Sequence, residues 1–145
     1  PVDHRITQDI KDTAGSKICD SAAIPEGWLG VDIGPKTAEL YATEIARAKT
    51  IFWNGPMGIF ETEEFSQGTF RIARAIAENE KAISVVGGGD SAAAAEASGL
   101  ADKFSHISTG GGASLEFLQG EKVPGIEALR PPKRSEQNIE DGGML

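Results

Sequence analysis

The placement of glycine constrains this chain more than any other feature. Eighteen of its 145 residues are glycine, well above the usual share of about 7%. Many of them fall in three loops: Trp53-Asn54-Gly55-Pro56-Met57-Gly58, Gly87-Gly88-Gly89-Asp90-Ser91 and Thr109-Gly110-Gly111-Gly112-Ala113. Each loop follows a short apolar run of strand type, and the last two lead straight into a helical segment. In open α/β sheets, ligands bind at the carboxyl edge of the strands. Glycine lets backbone approach a ligand closely and take positive φ. A helix N-terminus adds unpaired N–H groups and a positive dipole end, which suits phosphate. Two such sites in one short chain point to a polyphosphate or a phosphoryl group in transfer.

The elements around the loops alternate. Gly34-Pro35 opens a helix expected over 34–49, since proline at the first helical position forfeits no hydrogen bond. Ala38, Tyr41, Ile45 and Ala48 give it one apolar face. Strands are expected at 50–53, 82–86 and 104–108, each ended by a glycine turn. Helices are expected over 65–78, 91–97 and 113–119. Phe65, Thr69, Ile72, Ala73 and Ile76 share one face of the first, and Gly120 stops the last. The alternation predicts an α/β fold: a Rossmann-like parallel sheet with helices on both faces. Near-continuous apolar runs predict strands buried on both sides. Lys17-Ile18-Cys19-Asp20 reads as a further strand or an edge hairpin.

Composition narrows the function. Asp and Glu total 22 against 14 Lys and Arg, a formal charge of −8, which argues against nucleic acid or a membrane surface as partner. No stretch reaches the roughly 18 apolar residues of a membrane-spanning helix. The single cysteine, Cys19, forms no internal disulfide and points to a reducing compartment, so a cytoplasmic location is expected. No residue spacing suggests zinc.

Single residues are ambiguous by their chemistry alone. Each glycine triplet also suits an ordinary tight strand–helix turn. Asp90 could be an N-cap or hold Mg²⁺ beside a triphosphate. Glu61 could accept ribose hydroxyls or belong to the acidic surface run 61–64. Trp28, Trp53 and a hydrogen-bonded His106 are expected in the core, and Lys36 and Lys49 in solvent.

Taken together, the motifs resemble phosphoglycerate kinase. They are Gly30-Val31-Asp32-Ile33-Gly34-Pro35-Lys36-Thr37, Trp53 to Glu61, Gly87 to Ser91 and Ser105 to Ser114. The likeness runs from residue 1 to about 129. It corresponds to the later part of the family's C-terminal, nucleotide-binding domain. It implies transfer of a phosphoryl group between 1,3-bisphosphoglycerate and ADP, with ATP/ADP and Mg²⁺ as cofactors. On matching positions, Gly30 would contact the nucleotide near its base. Asn54 and Pro56 would line the pocket, and Glu61 would hold the ribose. Gly88, Gly89, Asp90 and Ser91 would cradle the phosphates, with Asp90 serving the metal. Gly110, Gly111 and Gly112 would face the phosphoryl group in flight.

The resemblance also implies an incomplete machine. The family's N-terminal domain, with its basic patch for 3-phosphoglycerate, has no counterpart here, nor has the front of the nucleotide domain. The expectation is a partial nucleotide-binding domain over 1–129, a disordered tail over 130–145, and little turnover alone. Partner-dependence is expected too, through self-association or complementation by the missing segment.

Overall fold

The computed structural model describes residues 1–129. The chain begins with three short strands, β1 (His4–Thr7), β2 (Lys17–Cys19) and β3 (Leu29–Ile33). β1 lies between the other two and pairs antiparallel with each. Next come α1 (Pro35–Arg47), β4 (Thr50–Asn54), a 3₁₀ turn (Glu63–Phe65) and α2 (Gln67–Glu78). β5 (Ile83–Gly87), α3 (Gly89–Ala97), a second 3₁₀ turn (Ala101–Lys103) and β6 (His106–Ser108) follow. The described part ends with α4 (Gly111–Leu118) and α5 (Pro124–Leu129).

β4, β5 and β6 form a parallel sheet in that order, with Asn54 opposite Gly87 and Gly87 opposite Ser108. The α/β alternation expected from residue 34 onward is therefore present. The single parallel sheet is corrected: the parallel part has three strands, and a separate antiparallel sheet precedes it. β1 and β3 escaped the reading because they are short and mix charged with apolar residues, so neither a period of two nor a buried run stands out.

The core lies on one face of the parallel sheet. Trp53 and Val86 meet Ile33, Ala38, Ile72, Ile76 and Phe104 there, and the Trp53 and Phe104 rings sit 5.9 Å apart. All five residues expected on the α2 face, Phe65 included, are buried. In α3 the buried apolar residues are Ala94 and Ala95, whose small side chains allow a close approach to β5. The opposite face is different. Phe52 and Val85, with Phe117 and Leu118 of α4, line a cleft of about 580 Å³, and Ile83 is 61% exposed. Burial on both faces is therefore not what these strands show.

Two core expectations are also corrected. His106 is exposed, because β6 is an outer strand and His106 borders the open cleft. Trp28 is half-buried, with the Lys17 ammonium 4.0 Å from its ring centroid, a cation–π contact at the surface. Lys36 and Lys49 are exposed as expected, and Lys36 pairs with Asp20 at 2.6 Å. Gly120 ends α4 with φ +78°. The tail expected over 130–145 lies outside the described residues.

Candidate functional site

The parallel register brings the three glycine loops side by side. Asn54, Gly87 and Ser108 are neighbours across the carboxyl edge of the sheet, so the loops leaving them share one rim. The Gly88 N–H donates to the Ser108 carbonyl at 2.9 Å. Gly88 takes φ +99°, which an L side chain adopts only with strain. A Cβ on Gly111 would fall 2.9 Å from the Gly88 Cα and 3.3 Å from Asn54 Nδ2. Two glycine backbones and one amide side chain thus converge within van der Waals reach.

α3 and α4 both start on this rim, from Gly88 and Gly110 as N-caps, and no side chain among the described residues caps either helix. Their first-turn N–H groups have no intrahelical partner by the geometry of a helix. Space is open beyond the Cα of Gly89 and of Gly112. The rim suits an anion held by backbone donors. Asp90 sits in the first turn of α3, exposed. Since Gly88 is the N-cap, the capping role weighed for Asp90 falls away. No group of three or more His, Cys, Asp or Glu side chains among the described residues could hold a metal alone. A divalent cation here would need ligand oxygens besides Asp90, the pattern Mg²⁺ adopts with phosphates.

The remaining expected residues lie around this rim. Ser91 is buried, and its Oγ accepts the Gly55 N–H at 2.5 Å, joining the second loop to the first. Pro56 is half-buried, and Glu61 is exposed. Gly30 lies on β3, where a Cβ would meet the tip of Ile24. The Ile59 N–H donates to the Val31 carbonyl at 2.9 Å, so the segment carrying Glu61 is tied beside Gly30.

Sequence reasoning missed the residues that hold this loop. Thr69 Oγ1 accepts the N–H groups of Met57 at 3.0 Å and Gly58 at 3.2 Å. The Trp53 indole donates to the Gly55 carbonyl at 2.8 Å. Asp32, 4% exposed, accepts the Gly68 N–H at 2.6 Å and the Ile33 N–H at 2.8 Å. Burial pushes its carboxyl up to about 6, against those two hydrogen bonds and the Arg5 charge. A charged residue between Val31 and Ile33 in a buried segment was the available signal.

The chain is similar to known proteins over most of its length. The sequence profile of the family described as "Phosphoglycerate kinase" matches residues 1–121. The phosphoglycerate kinase of Bdellovibrio bacteriovorus is 62% identical over 130 residues, covering 90% of this chain and 32% of the relative. That of Gloeobacter violaceus is 56% identical over 129 residues, covering 89% and 31%. The solved structure of the Coxiella burnetii phosphoglycerate kinase superposes with a TM-score of 0.79 at 42% identity, covering 88% of this chain and 33% of that one. The Pyrococcus horikoshii enzyme gives 0.75 at 41% identity, covering 89% and 31%. The chain spans about a third of the length of these relatives. With most of its residues matched in sequence and its backbone superposed on solved members, the chain belongs to the phosphoglycerate kinase family.

Proposed function

We propose that residues 1–129 are the later part of a C-terminal nucleotide-binding domain, and that this chain contributes to the ATP/ADP site of a kinase. The reaction is phosphoryl transfer between 1,3-bisphosphoglycerate and ADP. The observation that carries the reading is the shared rim of Asn54, Gly88 and Gly111 beneath two uncapped helix N-termini. Gly30, Asn54 and Pro56 line the base and ribose side, and Glu61 accepts the ribose hydroxyls. Gly88, Gly89 and Asp90 meet the phosphates, with Ser91 bracing them from behind. Asp90 is the residue that would hold Mg²⁺, which neutralises phosphate charge when bound. Gly110, Gly111 and Gly112 direct N–H groups at the transferring phosphoryl. Phosphoryl transfer depends on positioning and charge stabilisation more than on a covalent protein group. Backbone donors in a fixed array serve that purpose.

The matched stretch spans about a third of the relatives' length, so the phosphoglycerate side and the closure of two domains around both substrates would rest on segments beyond that stretch. Calorimetric titration with Mg-ADP should give weak, saturable heat. A coupled kinase assay should give little or no turnover. Absence of any heat or NMR shift at millimolar Mg-ADP overturns the nucleotide reading, and near-normal turnover overturns the partial-site reading. A second reading, a complementation module without catalysis, is favoured by the open apolar cleft on the sheet. Adding the upstream two-thirds of a family member should then raise Mg-ADP affinity.

A further inference from the structure

The loop over 54–62 carries Asn54, Pro56 and Glu61, and much of what holds it comes from outside. Its contacts form a connected series. Asp32 Oδ2 accepts the Gly68 N–H at 2.6 Å. The next residue, Thr69, accepts the N–H groups of Met57 and Gly58. Val31, next to Asp32, accepts the N–H of Ile59 at 2.9 Å. β3 and the first turn of α2 therefore grip the loop from two sides, and Asp32 links the two grips.

A second, steric observation points to the same carboxylate. A Cβ on Gly58 would fall 2.6 Å from Asp32 Oδ1 and 2.5 Å from the Val31 carbonyl. A Cβ on Gly68 would collide with Asp32 Oδ1. Neither glycine has a left-handed φ. Glycine is needed at both positions for close approach rather than backbone freedom, to the Asp32 carboxylate in each case, with the Val31 and Phe65 carbonyls beside Gly58 and the Ile33 side chain beside Gly68. A carboxylate this buried is costly to keep, and an apolar residue in its place could not accept the Gly68 N–H that fixes the start of α2 beside the loop.

We propose that Asp32, acting through Thr69, is the positioning residue for the loop over 54–62 and sets where Asn54, Pro56 and Glu61 stand. Its functional meaning rests on the nucleotide reading above, whereas its structural content rests on this geometry alone.

The test uses the full chain with Asp32→Asn, Thr69→Val and the conservative Thr69→Ser. Amide hydrogen exchange and Mg-ADP calorimetry are the two readouts. Asp32→Asn should accelerate exchange at Met57, Gly58 and Gly68 by about tenfold, the effect of one lost hydrogen bond, leaving Val85 and Val86 in β5 unchanged. Thr69→Val should do so at Met57 and Gly58, and Thr69→Ser should restore protection. Mg-ADP affinity should fall about tenfold with Asp32→Asn. Unchanged exchange at Met57 and Gly58, or equal acceleration throughout β5, overturns the proposal. Equal Mg-ADP affinity in the variant and the unaltered chain also overturns it, with the nucleotide reading intact. Local acceleration in a chain that binds no Mg-ADP supports the loop assignment and removes the nucleotide reading. Should Asp32→Asn not fold, the Thr69→Val and Thr69→Ser pair decides on the same readouts.

Discussion

Two buried aspartates hold the front of this molecule together. Gly34 caps α1 without a side chain, and Asp3 supplies the missing one from 31 residues upstream. Its carboxylate accepts the N–H groups of Lys36 at 3.0 Å and Thr37 at 2.8 Å. Burial pushes the Asp3 carboxyl up, but the Thr37 hydroxyl, those N–H groups and the Lys36 charge outweigh it and hold it below the ordinary value. Asp3→Ala leaves two helix donors unsatisfied and should cost about 2 kcal/mol in urea unfolding. A depressed pKa stabilises above the unfolded value and is lost as pH falls through the folded one. The gap between Asp3→Ala and the unaltered chain should therefore narrow below pH 3.8. Asp32 has the opposite sign. Its folded pKa is raised from 3.8 to about 6, so the folded state binds more protons across that window. Its contribution is full below 3.8 and lost as pH rises through about 6. Arg5, Arg71 and Glu39 line, with Asp32, a second cleft apart from the apolar one on the sheet. Asp32→Asn should remove this downward slope, as urea midpoints between pH 4 and pH 7 would register. The distant partners were not legible in the sequence, because Lys36 and Thr37 lie more than 30 residues from Asp3 and Gly68 more than 30 from Asp32.

At the scale of elements, the glycines divide by physical cause. Gly88 is held at φ +99°, and Gly111 stands against the Gly88 backbone, which cannot swing aside. Gly88→Ala should cost about 1–3 kcal/mol in strain, and Gly111→Ala should likewise lower the melting temperature. Gly89 sits inside α3 with open space around it. Gly89→Ala should change stability by less than about 1 kcal/mol, toward greater stability by helix propensity. If phosphates approach this rim, the same substitution should weaken Mg-ADP binding in calorimetry. Lost affinity without lost stability would separate a ligand-facing glycine from a merely structural one. The element pattern from residue 34 to Gly120 was legible because its periodicities, turns and stop signals are local, whereas α5 beyond it was not expected. Before it, the strand expected over 17–20 is β2, whereas β1 and β3 were not legible, since they are defined by pairing with each other across more than twenty residues.

The whole molecule is open where its core ends. The parallel sheet has β4 and β6 as outer strands, and its second face carries Phe52 and Val85 into an apolar cleft. Phe117 and Leu118 beside it are 57% and 60% exposed. Unpaired edges and exposed apolar surface favour association. Sedimentation should show concentration-dependent species heavier than the 15.2 kDa chain, and a clean monomer across the micromolar range would count against this. No helix among the described residues is long and apolar enough to cross a membrane.

By itself the sequence determined the α/β alternation, the positions of the glycine turns and the family they resemble. Those properties are written in near neighbours: a periodic apolar face, a proline at a helix start, a glycine after a strand. Only the tertiary structure decided that Asn54, Gly88 and Gly111 share one rim, that Ser91 braces it and that Asp32 and Thr69 hold its loop. It also decided that the parallel sheet is buried on one face and open on the other. Those features depend on register and on hydrogen bonds closed between distant segments, and a polar residue's partner is chosen by the fold rather than by its neighbours in the chain.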